Sequence, residues 1–96
     1  MNKEVVLNEA EHRFEIQNPE GIAFVEFNLF KNGIVFTHTE VPPALEGNGL
    51  AGILAKHVLD YARDKNWEVL PLCPYIKGYI DRHDEYKSIS SLHREK

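Results

Sequence analysis

The stretch Val41–Ala62, VPPALEGNGLAGILAKHVLDYA, decides how the chain is read. Two prolines stop a strand-like segment, a glycine-rich turn follows, and an amphipathic helix begins. Leu50, Ile53, Leu54, Val58 and Tyr61 recur at helical spacing and make one apolar stripe. Arg63 and Lys65 fall in the last turn, where the helix dipole favours cations, and Asn66 suits a left-handed stop. The pattern therefore predicts a helix from about Gly49 to Asn66. Gly47, Gly49 and Gly52 crowd its start. One glycine would serve a tight entry, but Gly52 lies inside the first turns, where glycine costs up to about 1 kcal/mol against alanine. Such crowding points to something close against the backbone, either a neighbouring strand or a ligand. Free N–H groups at a helix start, with the dipole behind them, form an anion site, and phosphate is the anion they suit.

Two phosphate templates fail on context. Gly47, Gly49 and Gly52 spell G-x-G-x-x-G, but that motif opens a mostly parallel sheet with further β-α units after it. Here hairpin signals precede the glycines and only one strand follows. The P-loop needs a lysine after its last glycine, and Gly52 is followed by Ile53.

Working outward, Val5-Val6-Leu7 suits a short edge strand and Arg13 to Gln17 alternates. Asn18-Pro19-Glu20-Gly21 is a turn signal. Ile22 to Phe30 reads as a strand whose Ala23, Val25, Phe27 and Leu29 share an apolar face. Asn32-Gly33 is a strong hairpin signal, and Ile34 to Val41 forms the returning strand. With Asn32-Gly33 as the two turn residues, Phe27 opposes His38 and Val25 opposes Glu40. That register puts His38 and Glu40 on the apolar face, and a one-residue slip would reverse it. Beyond the helix, Glu68 to Cys73 is a short apolar strand. Strand, helix and strand imply a parallel pair with a right-handed crossover. Pro74 opens a second helix with Tyr75, Ile76, Tyr79 and Ile80 on one side. From Asp84 the chain is polar, which predicts a frayed end. The fold class is mixed α+β: antiparallel strands, one β-α-β crossover, then a short helix, all in one domain over residues 1–96.

Composition bounds the function. Of 96 residues 43% are apolar and 27% charged, as in soluble globular chains, and 11 Lys+Arg against 15 Asp+Glu leave a net charge of −4. No basic run tracks a phosphate backbone, so nucleic acid is not expected as a partner. No apolar stretch reaches membrane-spanning length, and MNKEVVLNEAEHR is too polar for a signal peptide. A lone cysteine, Cys73, permits no internal disulfide, so a cytoplasmic location is expected. His38, His57, His83 and His93 show no zinc-ligand spacing, so no metal is expected.

Glu46-Gly47-Asn48-Gly49-Leu50-Ala51 resembles the acetyl-CoA loop of the GNAT superfamily of N-acetyltransferases, Arg/Gln-x-x-Gly-x-Gly/Ala. Glu46 departs from the basic or amide first position of that pattern. Together with VLPLCPYIKGYIDRHDEY, the stretch is similar to the small, single-domain members of that superfamily, a likeness covering roughly Val25 to Tyr86. The resemblance implies acetyl-CoA or coenzyme A as cofactor. Loop amides would bind its pyrophosphate, and Val41, Glu46, Gly47, Asn48, Gly49, Leu50, Ala51, Pro74, Tyr75 and Tyr79 would form its site. It also implies strands that splay apart beside the loop, and Pro71 suits the unpaired side of such a splay. The activity implied is acetyl transfer from a thioester to an amine on a protein tail or a small molecule. The small members lack the amino-terminal helices that shape the acceptor site, which implies an open one.

Three residues are candidates for the chemistry. Glu40 and His38 lie two apart on one strand face and could take a proton from the amine; the plainer alternative is a solvated strand end for Glu40 and an edge or core histidine for His38. Cys73 precedes Pro74 at a helix cap, where the dipole favours a thiolate. The resemblance puts it near the CoA sulfur, as nucleophile or proton donor. A small buried cysteine is the alternative. Tyr75, Tyr79 or Tyr86 could supply a proton to the departing thiolate, or simply pack. Two rival functions stand beside transfer: a CoA-binding module without catalysis, and an interaction scaffold without ligand. A monomer or weak dimer is expected, with a free sheet edge near residues 69–73.

Overall fold

The computed structural model describes residues 1–93. One sheet runs in sequence order through β1 (Val6–Asn8), β2 (Arg13–Asn18), β3 (Gly21–Phe30), β4 (Gly33–Glu40) and β5 (Glu68–Pro71). The first four strands are antiparallel neighbours; β5 lies parallel to β4, joined to it through helix α1 (Leu50–Asp64). Helix α2 (Pro74–Asp81) follows at once. The mixed α+β architecture is the one the sequence predicts.

Alternation along the strands sorts residues by face. Phe14 opposes Val25, Ile16 opposes Ala23 and Phe27 opposes Phe36, and all are buried. They form one cluster with Leu50, Leu54, Val58 and Leu59 of α1 and with Ile76 and Ile80 of α2. Each such large side chain, fully buried, contributes about 1.5–3 kcal/mol of transfer free energy. This inner face carries the helices. The outer face presents Arg13, Gln17, Glu26, His38 and Glu40.

The hairpin differs from the expected register. Phe30 pairs with Gly33, so Lys31 and Asn32 form the loop, and Asn32 takes the positive φ of 63°. Gly33 is a strand residue, and the Phe30 ring lying over it leaves no room for a Cβ. Leu29 therefore opposes Ile34. Between Phe27–Phe36 and Glu26–His38 the ladder then skips Thr37, a β-bulge that shifts the register again. Val25 consequently faces Thr39. The expected placement of His38 and Glu40 on the apolar face is corrected: both lie on the outer face, and Thr39 takes the inner position.

Two boundaries also move. The helix ends at Asp64, and Asn66 takes its left-handed conformation (φ 58°) in the turn that follows. β5 ends at Pro71, two residues short of Cys73.

The segment from Asp84 is polar but ordered among the described residues, and the expected frayed end falls on residues 94–96, outside them. Asp84–Ile89 is a 3₁₀ helix, Tyr86 is buried, and Ser90 bridges Val69 in parallel. Ser91 N–H donates to Val69 O at 2.9 Å, so the edge of β5 expected to be free is covered there.

Candidate functional site

Leu45, fully buried, anchors the loop between β4 and α1, and a 3₁₀ turn over Pro43–Leu45 aims the chain at the helix. Asn48 Nδ2 donates to Leu45 O at 2.9 Å and to Glu46 O at 3.3 Å, which holds the loop in shape. Gly47 and Gly49 sit at φ 82° and 75°, conformations in which any side chain is strained. Nothing lies within 4 Å of where their Cβ atoms would be. A Cβ on Gly52 would meet only Tyr75 Oη, at 3.8 Å. No strand crowds these glycines: the positive φ of Gly47 and Gly49 suits the tight entry into the helix, and Gly52 has open space beside it.

The backbone donors are open too. Among the described residues, no acceptor lies within hydrogen-bond reach of the N–H groups of Gly47 to Gly52, and the first helical donor with a partner is Ile53, to Gly49 O at 3.1 Å. No acidic side chain sits in the first turn of α1. The positive end of the helix dipole is therefore uncompensated, which favours an anion. Val41, Glu46, Leu50, Ala51 and Tyr75 line a hollow of about 330 Å³ here together with these glycines. A second hollow of about 560 Å³ adjoins it at Gly49 and Gly52 and runs along α1 past Lys3, Lys56 and Tyr79. A third, of about 440 Å³, lies at the far end of α1 among Phe14, Phe27, Tyr61 and Trp67, and holds none of the predicted site residues.

Beside the loop the sheet opens. The last β4–β5 pair is Phe36 with Pro71, and Pro71 has no N–H to offer the ladder. Cys73 N–H makes the final backbone bond, to Phe36 O at 2.8 Å. Beyond it, Thr37 to Glu40 have no partner strand on that side. Cys73 caps α2, with Pro74 at the first helical position, and its carbonyl accepts Lys77 N–H at 3.0 Å. The residue is 3% exposed, and its sulfur lies 3.2 Å from Thr39 Oγ1.

His38 Nε2 and Glu40 Oε1 are 3.2 Å apart, with side chains 53% and 58% exposed. They border the opening from the outer face and are not brought together with Cys73. Pro74 and Tyr75 stand at its inner side. Tyr79 stacks on His83 at 3.8 Å between ring centres, and burial pushes its hydroxyl above the ordinary value.

Sequence reasoning missed two features. Thr39 was hidden by the bulge. The other is a cluster on α1: Asp60 accepts from Tyr86 Oη at 2.6 Å and from Lys56 Nζ at 2.9 Å. Burial alone would raise the Asp60 carboxyl, but these bonds outweigh it and hold it below the usual range. Burial first, then the bond to Asp60, push the Tyr86 hydroxyl up to about 12. The i, i+4 spacing of Lys56 and Asp60 was legible; the arrival of Tyr86 from the C-terminal segment was not. Among the described residues no cluster of three or more His, Cys, Asp or Glu is placed to hold a metal, and no helix is long and apolar enough to cross a membrane.

An open, glycine-shaped loop at a helix start, set beside a parallel strand pair that parts, is the local architecture that the sequence resemblance implies. Residues 13–89 match the GCN5-related N-acetyltransferase family, and the chain belongs to it. A GCN5-like protein from Staphylococcus aureus, solved by NMR in solution, superposes with a TM-score of 0.73 at 27% identity, over 93% of this chain and 88% of that one. The chain is 36% identical over 50 residues to Protein NATD1 of Xenopus tropicalis, and 42% identical over 43 residues to that of Mus musculus. Those alignments cover 52% and 45% of this chain and 46% and 39% of the relatives, so the match spans less than half the length of these curated relatives.

Proposed function

We propose that the protein binds acetyl-CoA with the loop at residues 46–51 and passes the acetyl group to an amine. The observation that carries this reading is the run of unpartnered amides from Gly47 to Gly52, set beside the opening in the sheet. The family characteristically uses acetyl-CoA, and this loop fits its phosphates. Glycine conformations, free donors and an uncompensated helix dipole all favour an anion, while exposed Glu46 has room to turn away. When bound, acetyl-CoA supplies an acyl group already activated on a thioester sulfur. The chain supplies the rest. Val41 and Tyr75 line the hollow beside the loop, and Tyr79 lines the one adjoining. The unpaired backbone of Thr37 to Val41 offers hydrogen bonds along the opening. Cys73 Sγ, at its inner side, suits either of two roles: protonating a departing thiolate or accepting the acyl group. His38 and Glu40, at its outer rim, are placed to take a proton from an amine that enters from that face.

The test is a titration of the protein with acetyl-CoA, watched by amide NMR and then by mass spectrometry. Gly47, Gly49 and Leu50 should shift, and Gly49→Val, which forces a β-branched residue to φ 75°, should abolish the shifts. Absence of shifts at millimolar ligand sinks the reading. One added acetyl mass on Cys73 selects the acyl-acceptor role. The near-complete burial of Cys73 favours one rival, a CoA-binding module without catalysis. Shifts without turnover of any amine would select that rival.

A further inference from the structure

The sheet does not simply part beyond Phe36. One side-chain pair crosses the opening: Thr39 Oγ1 on β4 and Cys73 Sγ at the cap of α2, 3.2 Å apart. Both ends are fixed. Cys73 is held by its N–H to Phe36 O and by its own carbonyl to Lys77 N–H. Thr39 is held on the inner face by its pairing with Val25, a placement that exists only because Thr37 is bulged out. Thr39 is a β-branched residue with few rotamers in a strand, so its hydroxyl has a defined aim. Among the described residues it is the side chain that hydrogen-bonds the thiol. The titratable groups on the flanking elements are His38 and Glu40 on β4, turned to the outer face, Glu26 on β3, Glu68 on β5, and Tyr75, Lys77, Tyr79 and Asp81 on α2.

We infer that Thr39 is a positioning residue for Cys73: its O–H donates to the deprotonated sulfur and fixes the direction in which the sulfur meets its reaction partner. The hydroxyl keeps its proton throughout. When the sulfur is protonated the bond reverses, with S–H donating to Oγ1, so the pair stays closed in both states. The role as a positioning residue rests on the reading of this opening as the reaction site; the effect of the hydroxyl on the thiol does not.

The chain has one cysteine, so selective ¹³C labelling gives one Cβ resonance that reports thiol against thiolate. Its shift is followed against pH in the wild type, Thr39→Val and Thr39→Ser, in the protein without ligand. Thr39→Val keeps the shape and the strand preference but removes the donor. The midpoint should move upward by about one pH unit in Thr39→Val, a tenfold smaller thiolate share at fixed pH, because a hydrogen bond to the charged form is lost. Thr39→Ser should return it to within a few tenths of the wild type. An unmoved midpoint in Thr39→Val overturns the inference. So does a shift in Thr39→Ser as large as that in Thr39→Val, which would put the cause in packing and not in the hydroxyl. The acetyl-CoA titration is read separately: its failure would remove the cofactor reading and leave the thiol midpoint untouched.

Discussion

Between Gly33 and Phe36, β4 is paired with a strand on each side; between Thr37 and Glu40 it is paired with β3 alone. The same strand changes character within one residue. Ile34 and Phe36 are fully buried, whereas His38 and Glu40 are more than half exposed. Two local events at one level make the change. On the β3 side Thr37 is bulged out, and on the β5 side Pro71 ends the ladder. A sheet closed at both ends would have no place for a ligand between strands, and one open throughout would not hold together. The closed half supplies the stability against which the open half can leave its backbone unpaired.

The largest effect should come from the closed half. Phe36→Ala empties a site that is 0% exposed and centred between β3, β5 and the helices. It should cost about 3–5 kcal/mol in urea unfolding, the lost transfer energy plus the cavity left behind. A loss below about 1 kcal/mol, within the range of a surface change, would erase the contrast between the halves.

Much of this contrast was legible in the sequence and one part was not. The strand alternation, the apolar stripe of the helix, the turn at Asn66 and the glycines of the loop were all readable, because each is a local preference. Pro71 pointed to an unpaired strand side, although the strand was expected to run on to Cys73. The face assignment of β4 failed at the bulge, where one extra residue flips every side chain beyond it. Asn32-Gly33 looked like the loop, yet Gly33 pairs with Phe30 and lies under its ring. The bulge at Thr37 carries no glycine to mark it. The loop shift moves the pairing by two residues and keeps the faces; the bulge alone leaves His38 and Glu40 outside and Thr39 inside. The packing of the C-terminal segment was hidden for a different reason: Tyr86 and Ser90 are buried by contacts with α1 and β5, distant in sequence, while their neighbours are polar.

The outer face repeats the comparison in its charges. Glu15, on β2 between β1 and β3, is 1% exposed; Glu40, at the open end, is 58% exposed. Burial alone would raise the Glu15 carboxyl, but hydrogen bonds from Gln17, Arg13 and Asn8 outweigh it and hold it below its ordinary 4.5. Because its folded value is depressed, Glu15 contributes stability that is present above the unfolded value and is lost as pH falls through the folded one. Glu15→Gln should cost about 1–3 kcal/mol at neutral pH, since it leaves Arg13 over Phe24 without its carboxylate. The gap between variant and wild type should close as pH drops from about 4.5 toward the folded value. Urea unfolding at a series of pH values reads this directly. A difference constant with pH would mean that the ion pair contributes nothing beyond shape.

His38 is where the smallest stability effect and the sharpest functional one should coincide. Its ring is tilted against Phe24, with ring centres 5.9 Å apart, and pairs with Glu40, but both partners of that pair stand in solvent. Exposed pairs of this kind contribute about 0–1 kcal/mol. His38→Ala should therefore unfold within about 0.5 kcal/mol of the wild type, as a surface change does. Amide shifts with acetyl-CoA should be unchanged, because the loop at residues 46–51 does not involve it. If His38 takes the proton of the entering amine, turnover should fall by about 10²-fold or more, the usual worth of a positioned base. Equal turnover would return His38 to the solvated end of a strand and leave Glu40 as the outer rim's only candidate base. A stability loss comparable to that of Phe36→Ala would be the more serious outcome, since it would mean that the open half carries the fold and that the opening is not there to be filled.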